Sequence, residues 1–104
     1  MLRIGDLTLA LLPGELFPEL LMPTVSGSIG AIAKEQGVLK LMVVGLANDE
    51  IGYILPSSDF VVDAELPYFR EAQGDHYEET NSVGADCAAD LCAAFARALQ
   101  NLSP

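Results

Sequence analysis

The chain of 104 residues has no tryptophan, one histidine, two cysteines and only five basic side chains. Each scarcity removes a class of function. Five Lys and Arg against 15 acidic residues leave a formal net charge of -10, so a phosphate backbone or an anionic membrane surface would repel the chain. Nucleic acid is excluded as a natural partner on that ground. Cys87 and Cys92, five positions apart, would sit about 140° apart around a helix. They do not pair within it, and read as two small buried hydrophobes. No apolar run reaches the roughly 20 residues that a membrane-crossing helix needs. The opening MLRIGDLTLALLPGELF is interrupted by Gly5, Asp6, Pro13 and Gly14, unlike a secretory leader, and nothing in the sequence assigns a compartment. Nucleophile elbow, phosphate loop, CxxC pair and HExxH helix are all missing.

What is present is the composition of a folded chain: 51% hydrophobic and 19% charged residues, enough for one domain spanning residues 1–104 with a single core. The expected class is α/β. A strand, helix, strand crossover is followed by a long irregular segment and a C-terminal helix, as part of a larger layered α/β domain.

Leu7 to Leu12 reads as a strand ended by Pro13 and Gly14. Gly5 and Asp6 form a turn before it, leaving Leu2 to Ile4 as the stub of a hairpin. That stub suggests a piece of something longer, with an open sheet edge that another copy could cover. From Glu15, the spacing of Leu16, Phe17, Leu20 and Leu21 predicts a helix with Pro18 in its first turn. A break is expected over Met22 to Ser28, then a shorter helical stripe through Ile29, Ile32 and Ala33 that stops at Gly37. Val38 to Leu46 (VLKLMVVGL) reads as a buried strand. Sites in such sheets gather at the carboxyl ends of strands, which brings Pro13-Gly14-Glu15 and Ala47 to Tyr53 to one edge. Pro56 to Asn81 is polar and irregular, a length of connection that is usually functional. Asn81 or Ser82 is the expected cap of a last helix from Val83 to about Leu102, with Leu91, Phe95, Leu99 and Leu102 as its stripe.

Each candidate for chemistry has two readings. Glu15 is a carboxylate at a strand end, or a first-turn helix residue favoured by the dipole. Asn48, Asp49 and Glu50 are a loop near a site, or an ordinary polar turn. Tyr53 is a catalytic phenol, or a half-buried core residue. His76, beside Asp75, Glu78 and Glu79, is a metal ligand or part of a solvated acidic loop.

Read together, PGE (Pro13 to Glu15), GLANDEIGY (Gly45 to Tyr53) and HYEETNSVG (His76 to Gly84) resemble the end of the catalytic domain of the neutral/alkaline, non-lysosomal ceramidase family. The resemblance runs from about Arg3 to Leu99. It implies a zinc amidohydrolase that cleaves the N-acyl bond of ceramide, with two histidine ligands from earlier in the domain. Its two later ligands would be Glu15 and Tyr53, with Tyr53 also catalytic and Asn48, Asp49 and Glu50 looping near the metal. The chain departs from the family after Glu15, where LFPELLMP carries no basic residue, and at Ser57 to Phe60, which marks a divergent branch.

The two histidines have no counterpart among these residues, and catalytic zinc usually takes three protein ligands. The chain by itself is therefore expected to show no amidase activity and to bind zinc weakly or not at all. Its expected partners are the missing N-terminal portion of such a domain or a second copy. The alternative is a stand-alone, non-catalytic binding or oligomerisation domain.

Overall fold

Gly5, at φ 57°, lets the chain reverse so that β1 (Leu2–Ile4) lies antiparallel to β2 (Leu7–Leu11), with Leu2 opposite Leu9 and Ile4 opposite Leu7. The computed structural model describes residues 1–102. β2 continues into a short parallel strand and a 3-10 turn before α1 (Ile29–Glu35), and the chain returns as β4 (Lys40–Val44). β4 pairs parallel with β2 in the register Leu7 to Lys40 through Leu11 to Val44, giving the order β1-β2-β4. The crossover expected from sequence is therefore present, and the fold is α/β.

Alternation along the strands decides which face is buried. Thr8 and Ala10 are almost fully buried, and Ala10 joins the core formed with α1 and α3 (Cys87–Asn101). Ile29, Ala33, Ala88, Cys92, Phe95 and Leu99 complete that core. The cross-strand partners Leu2, Leu9 and Met42, with Ile4, Leu7 and Val44, line the opposite face. The molecule is only 18 Å across its thinnest axis, room for one sheet and one layer of helices. Burial raises the thiols of Cys87 and Cys92 above the ordinary range, and both are free.

Four expectations are corrected. No helix starts at Glu15: Glu15–Leu16 form the strand β3, Phe17 stays extended and Pro18–Leu21 make a 3-10 turn. Proline disfavours helical geometry in the residue before it, and the Glu15 and Phe17 amides donate instead to the carbonyls of Gly52 (3.0 Å) and Ile54 (2.9 Å). β4 is not a buried strand, because it ends the sheet and leaves Met42 51% and Val44 39% exposed. The last helix begins at Cys87 rather than Val83, since Gly84 at φ 138° cannot belong to a helix. Neither Asn81 nor Ser82 caps it. The Asn81 side chain donates to the Tyr77 carbonyl at 2.8 Å, closing the one-turn helix α2 (Tyr77–Thr80).

Ser28 is the cap that the sequence reading passed over. Fully buried, its hydroxyl accepts from the Ala31 amide at 3.0 Å and donates to the Met22 carbonyl at 2.7 Å. One side chain thus caps α1 and ties down the preceding loop. Within Pro56 to Asn81, Asp63 does similar work. It accepts from the Leu66 amide (2.8 Å), the Glu65 amide (3.0 Å) and the Arg70 guanidinium (2.8 Å). The Leu66 hydrogen bond leads in holding its carboxyl below the usual range, against a lesser upward push from desolvation.

Candidate functional site

The two chain segments that form β2 and β4 do not separate at the end of the sheet. After Leu12 donates to Val44 and accepts from Ala47, β3 takes up parallel pairing again with β5 (Tyr53–Ile54), Glu15 opposite Tyr53 and Leu16 opposite Ile54. From Thr8 to Glu15 is seven steps, while from their partners Leu41 to Tyr53 is twelve, so the second segment carries five surplus residues. The surplus is taken up between Val44 and Tyr53, with Asn48, Asp49 and Glu50 at its outward turn. All three are exposed, and Asn48 adopts φ 70°, a left-handed conformation that asparagine tolerates. Asp49 accepts from the Glu50 amide at 2.8 Å. None of the three hydrogen-bonds to Glu15 or Tyr53.

Glycines let the backbones close in around the resumed pairing. A β-carbon on Gly14 would meet the Gly52 carbonyl oxygen at 2.6 Å, and one on Gly45 would meet the Gly14 carbonyl oxygen at 2.9 Å. Gly52, at φ 87°, lies with its α-carbon against the Asn81 carbonyl, which accepts from the Tyr53 amide at 3.1 Å. The segments PGE, GLANDEIGY and HYEETNSVG, far apart in the chain, thus meet at one place through backbone contact.

Glu15 is exposed and Tyr53 half-buried. Registered partners project from the same face of a sheet, so carboxylate and phenol are neighbours. Desolvation raises the Tyr53 phenol above its ordinary value of 10.0, and the negative charge of Glu15, then Tyr77 and Glu78, raises it further. The phenol is accordingly protonated at neutral pH and available as a hydrogen-bond donor. Its ring packs edge-on against Phe17 (centroids 6.5 Å) and Tyr77 (5.9 Å).

Phe17 and Tyr77 were not among the residues the sequence nominated, and Glu78 was named only beside His76. Phe17 lies two positions after Glu15, and a strand's period of two would have placed it on the same face. The helical reading of that stretch hid it. Tyr77 and Glu78 lie within HYEETNSVG, where Glu78 was read as a neighbour of His76 and neither was linked to Tyr53.

His76 is engaged elsewhere. Its Nδ1 lies 2.9 Å from Oε1 of the buried Glu79, its Nε2 lies 3.2 Å from the Gln73 carbonyl, and its amide donates to Glu71 at 2.8 Å. The Glu79 hydrogen bond raises the imidazole above its ordinary 6.5 despite desolvation. Burial pushes Glu79 upward, but the hydrogen bonds from His76 and the Val61 amide prevail and hold it below 4.5. The pair ties α2 to the segment that follows β5.

A metal is tested by the donor set. Glu15 and Tyr53 offer two adjacent oxygens, while no group of three His, Cys, Asp or Glu suited to a metal ion occurs among the described residues. His76 is therefore not the centre of a metal cluster there. Two oxygens do not by themselves fit a catalytic zinc, which takes three protein ligands. Among the described residues, no helix is long and apolar enough to cross a membrane. Comparison with protein-family models, curated proteins and solved structures finds no match for this chain.

Proposed function

We propose that the chain is the late part of a ceramidase-like zinc amidohydrolase domain, whose complete site hydrolyses the N-acyl bond of ceramide or a related lipid amide. The observation that carries this reading is the pairing of Glu15 with Tyr53 across β3 and β5. It brings the carboxylate and phenol nominated by the family resemblance side by side. Glu15 would contribute an anionic oxygen to the metal. Tyr53, whose phenol holds its proton, would donate a hydrogen bond at the same place, or would lose that proton to solvent as its oxygen took the metal cation. The remaining ligands would come from outside these residues, so the chain alone is inactive.

Calorimetry with zinc and NMR of the tyrosine rings test this. The expected result is weak zinc association that shifts the Tyr53 ring and is lost in both Glu15→Gln and Tyr53→Phe, with no turnover of a ceramide analogue. Tight stoichiometric zinc with amide turnover would overturn the inactivity. Zinc that leaves Tyr53 unmoved would overturn the ligand assignment. A second reading, a non-catalytic binding or oligomerisation domain, is favoured by one observation: among the described residues β4 pairs only with β2, so its other edge is unpaired.

A further inference from the structure

We propose that the free edge of β4 receives the β4 of a second copy, antiparallel about a two-fold axis, to form a continuous six-stranded sheet. The proposal rests on the oligomerisation reading and involves neither Glu15 nor Tyr53.

The two edges of the sheet are built differently. β1 has three residues with Arg3 at its centre and ends at once in a turn, features that discourage strand addition. β4 has five residues, no proline and one charge, Lys40. Leu39, Met42 and Leu46, in and beside it, are 79%, 51% and 51% exposed. On the helix side of that edge runs an open groove of about 550 Å³ bounded by Leu21, Pro23, Val38, Leu41 and Val43. On the other side lie Met42 and Val44. A strand added here would have apolar neighbours above and below, the setting of a central strand rather than an edge.

The sequence KLMVV favours its own copy as that strand. Centred on Met42, antiparallel pairing sets Met42 opposite Met42, Leu41 opposite Val43 and Lys40 opposite Val44. Opposed residues share a face, so Leu41 and Val43 of both copies fill the groove. The two Lys40 side chains fall at opposite ends, about 13 Å apart along the strands, beyond the roughly 10 Å screening length at 0.1 M salt. A parallel partner would stack the lysines instead. Covering Leu39, Met42, Val44, Leu46 and the groove would remove apolar surface from water on both faces of the added strand. With a net charge of -10 on each copy, added salt strengthens the pairing by screening the repulsion.

Sedimentation velocity across the micromolar to submillimolar range, at low and high salt, tests this together with amide hydrogen exchange. The expected result is a monomer–dimer equilibrium that tightens several-fold with salt, and slowed exchange at the outward amides of Lys40 to Val44 in the dimer. Met42→Lys, at an exposed position, removes association with an unchanged circular dichroism spectrum, whereas Ile4→Lys on β1 leaves it intact. A monomer at the highest concentration would overturn the proposal and leave the edge to another partner. Persistence of the dimer in folded Met42→Lys would overturn it as well. Loss of the dimer in Ile4→Lys, without protection at β4, would assign the contact to the open sheet face instead. Should Met42→Lys not fold, exchange in the unaltered chain reads the same edge: unprotected β4 amides in a dimer would refute the pairing.

Discussion

The same two chain segments pair twice, and the two stretches of pairing have little in common. Between β2 and β4, five residue pairs are almost wholly apolar, with one face under the helices and the other open. Between β3 and β5 only two pairs form, one of them a carboxylate opposite a phenol. The long ladder is sustained by burial, which is spread over many side chains and tolerates modest changes of shape. Two pairs cannot sustain a ladder on their own, so the short one depends on backbones that touch at Gly14, Gly45 and Gly52. Polar chemistry is set where the structure is held by main chain, and apolar surface where it is held by side chains.

Gly52→Ala is the sharpest way to break the short ladder. An added methyl group would run into the Asn81 carbonyl and would be strained at φ 87°. A loss of about 3 kcal/mol in urea unfolding is expected. A loss below about 1 kcal/mol would mean that the short ladder opens without cost to the rest. Glu79→Ala attacks the same region from its far wall by leaving the Val61 amide and His76 without their carboxylate. About 1 to 3 kcal/mol is expected.

The Glu79 and His76 pair also fixes a pH dependence. The His76 value is raised above 6.5, so its contribution is full below 6.5 and fades as pH rises through the raised value. The Glu79 value is lowered below 4.5, so its contribution is full above 4.5 and is lost as pH falls through the lowered value. Their joint contribution is largest between 4.5 and 6.5. Melting temperature measured against pH should show that maximum, and Glu79→Ala should flatten it.

On the long-ladder side, Ser28→Ala removes the cap of the crossover helix and a tie to Met22. Its expected effect is about 1 to 2 kcal/mol by thermal unfolding, with the Tyr53 titration unchanged. The smallest effect on stability belongs to Glu15→Gln. Folding should be almost unaltered, while ultraviolet titration shows the Tyr53 midpoint moving down toward 10.0, because a neighbouring negative charge is gone. An unmoved midpoint would break the coupling between the two side chains.

The crossover was legible because Leu7 to Leu12 and Val38 to Leu46 are apolar runs long enough to be strands, separated by a helical stripe that ends at Gly37. The meeting of Glu15 and Tyr53 at one sheet edge followed from that topology. The local conformation of Glu15 did not, because Leu16, Phe17, Leu20 and Leu21 fit a helical spacing, while the backbone bonds to Gly52 and Ile54 that decide the matter come from 37 positions away (15 to 52, 17 to 54). β4 misled for a related reason. An apolar strand on an open edge has the same sequence as one in the middle of a sheet, and only the missing neighbour tells them apart. Tyr77 and Glu78 join Tyr53 through the fold of a long irregular segment, which carries no periodicity to read.

The five surplus residues between the ladders have a practical consequence. Asn48, Asp49 and Glu50 form a self-contained detour whose length neither ladder senses, so residues can be added there without shifting either register. A short peptide tag or a spectroscopic label inserted at that turn would report on both halves of the molecule from outside, and would leave the pairing of Glu15 with Tyr53 in place.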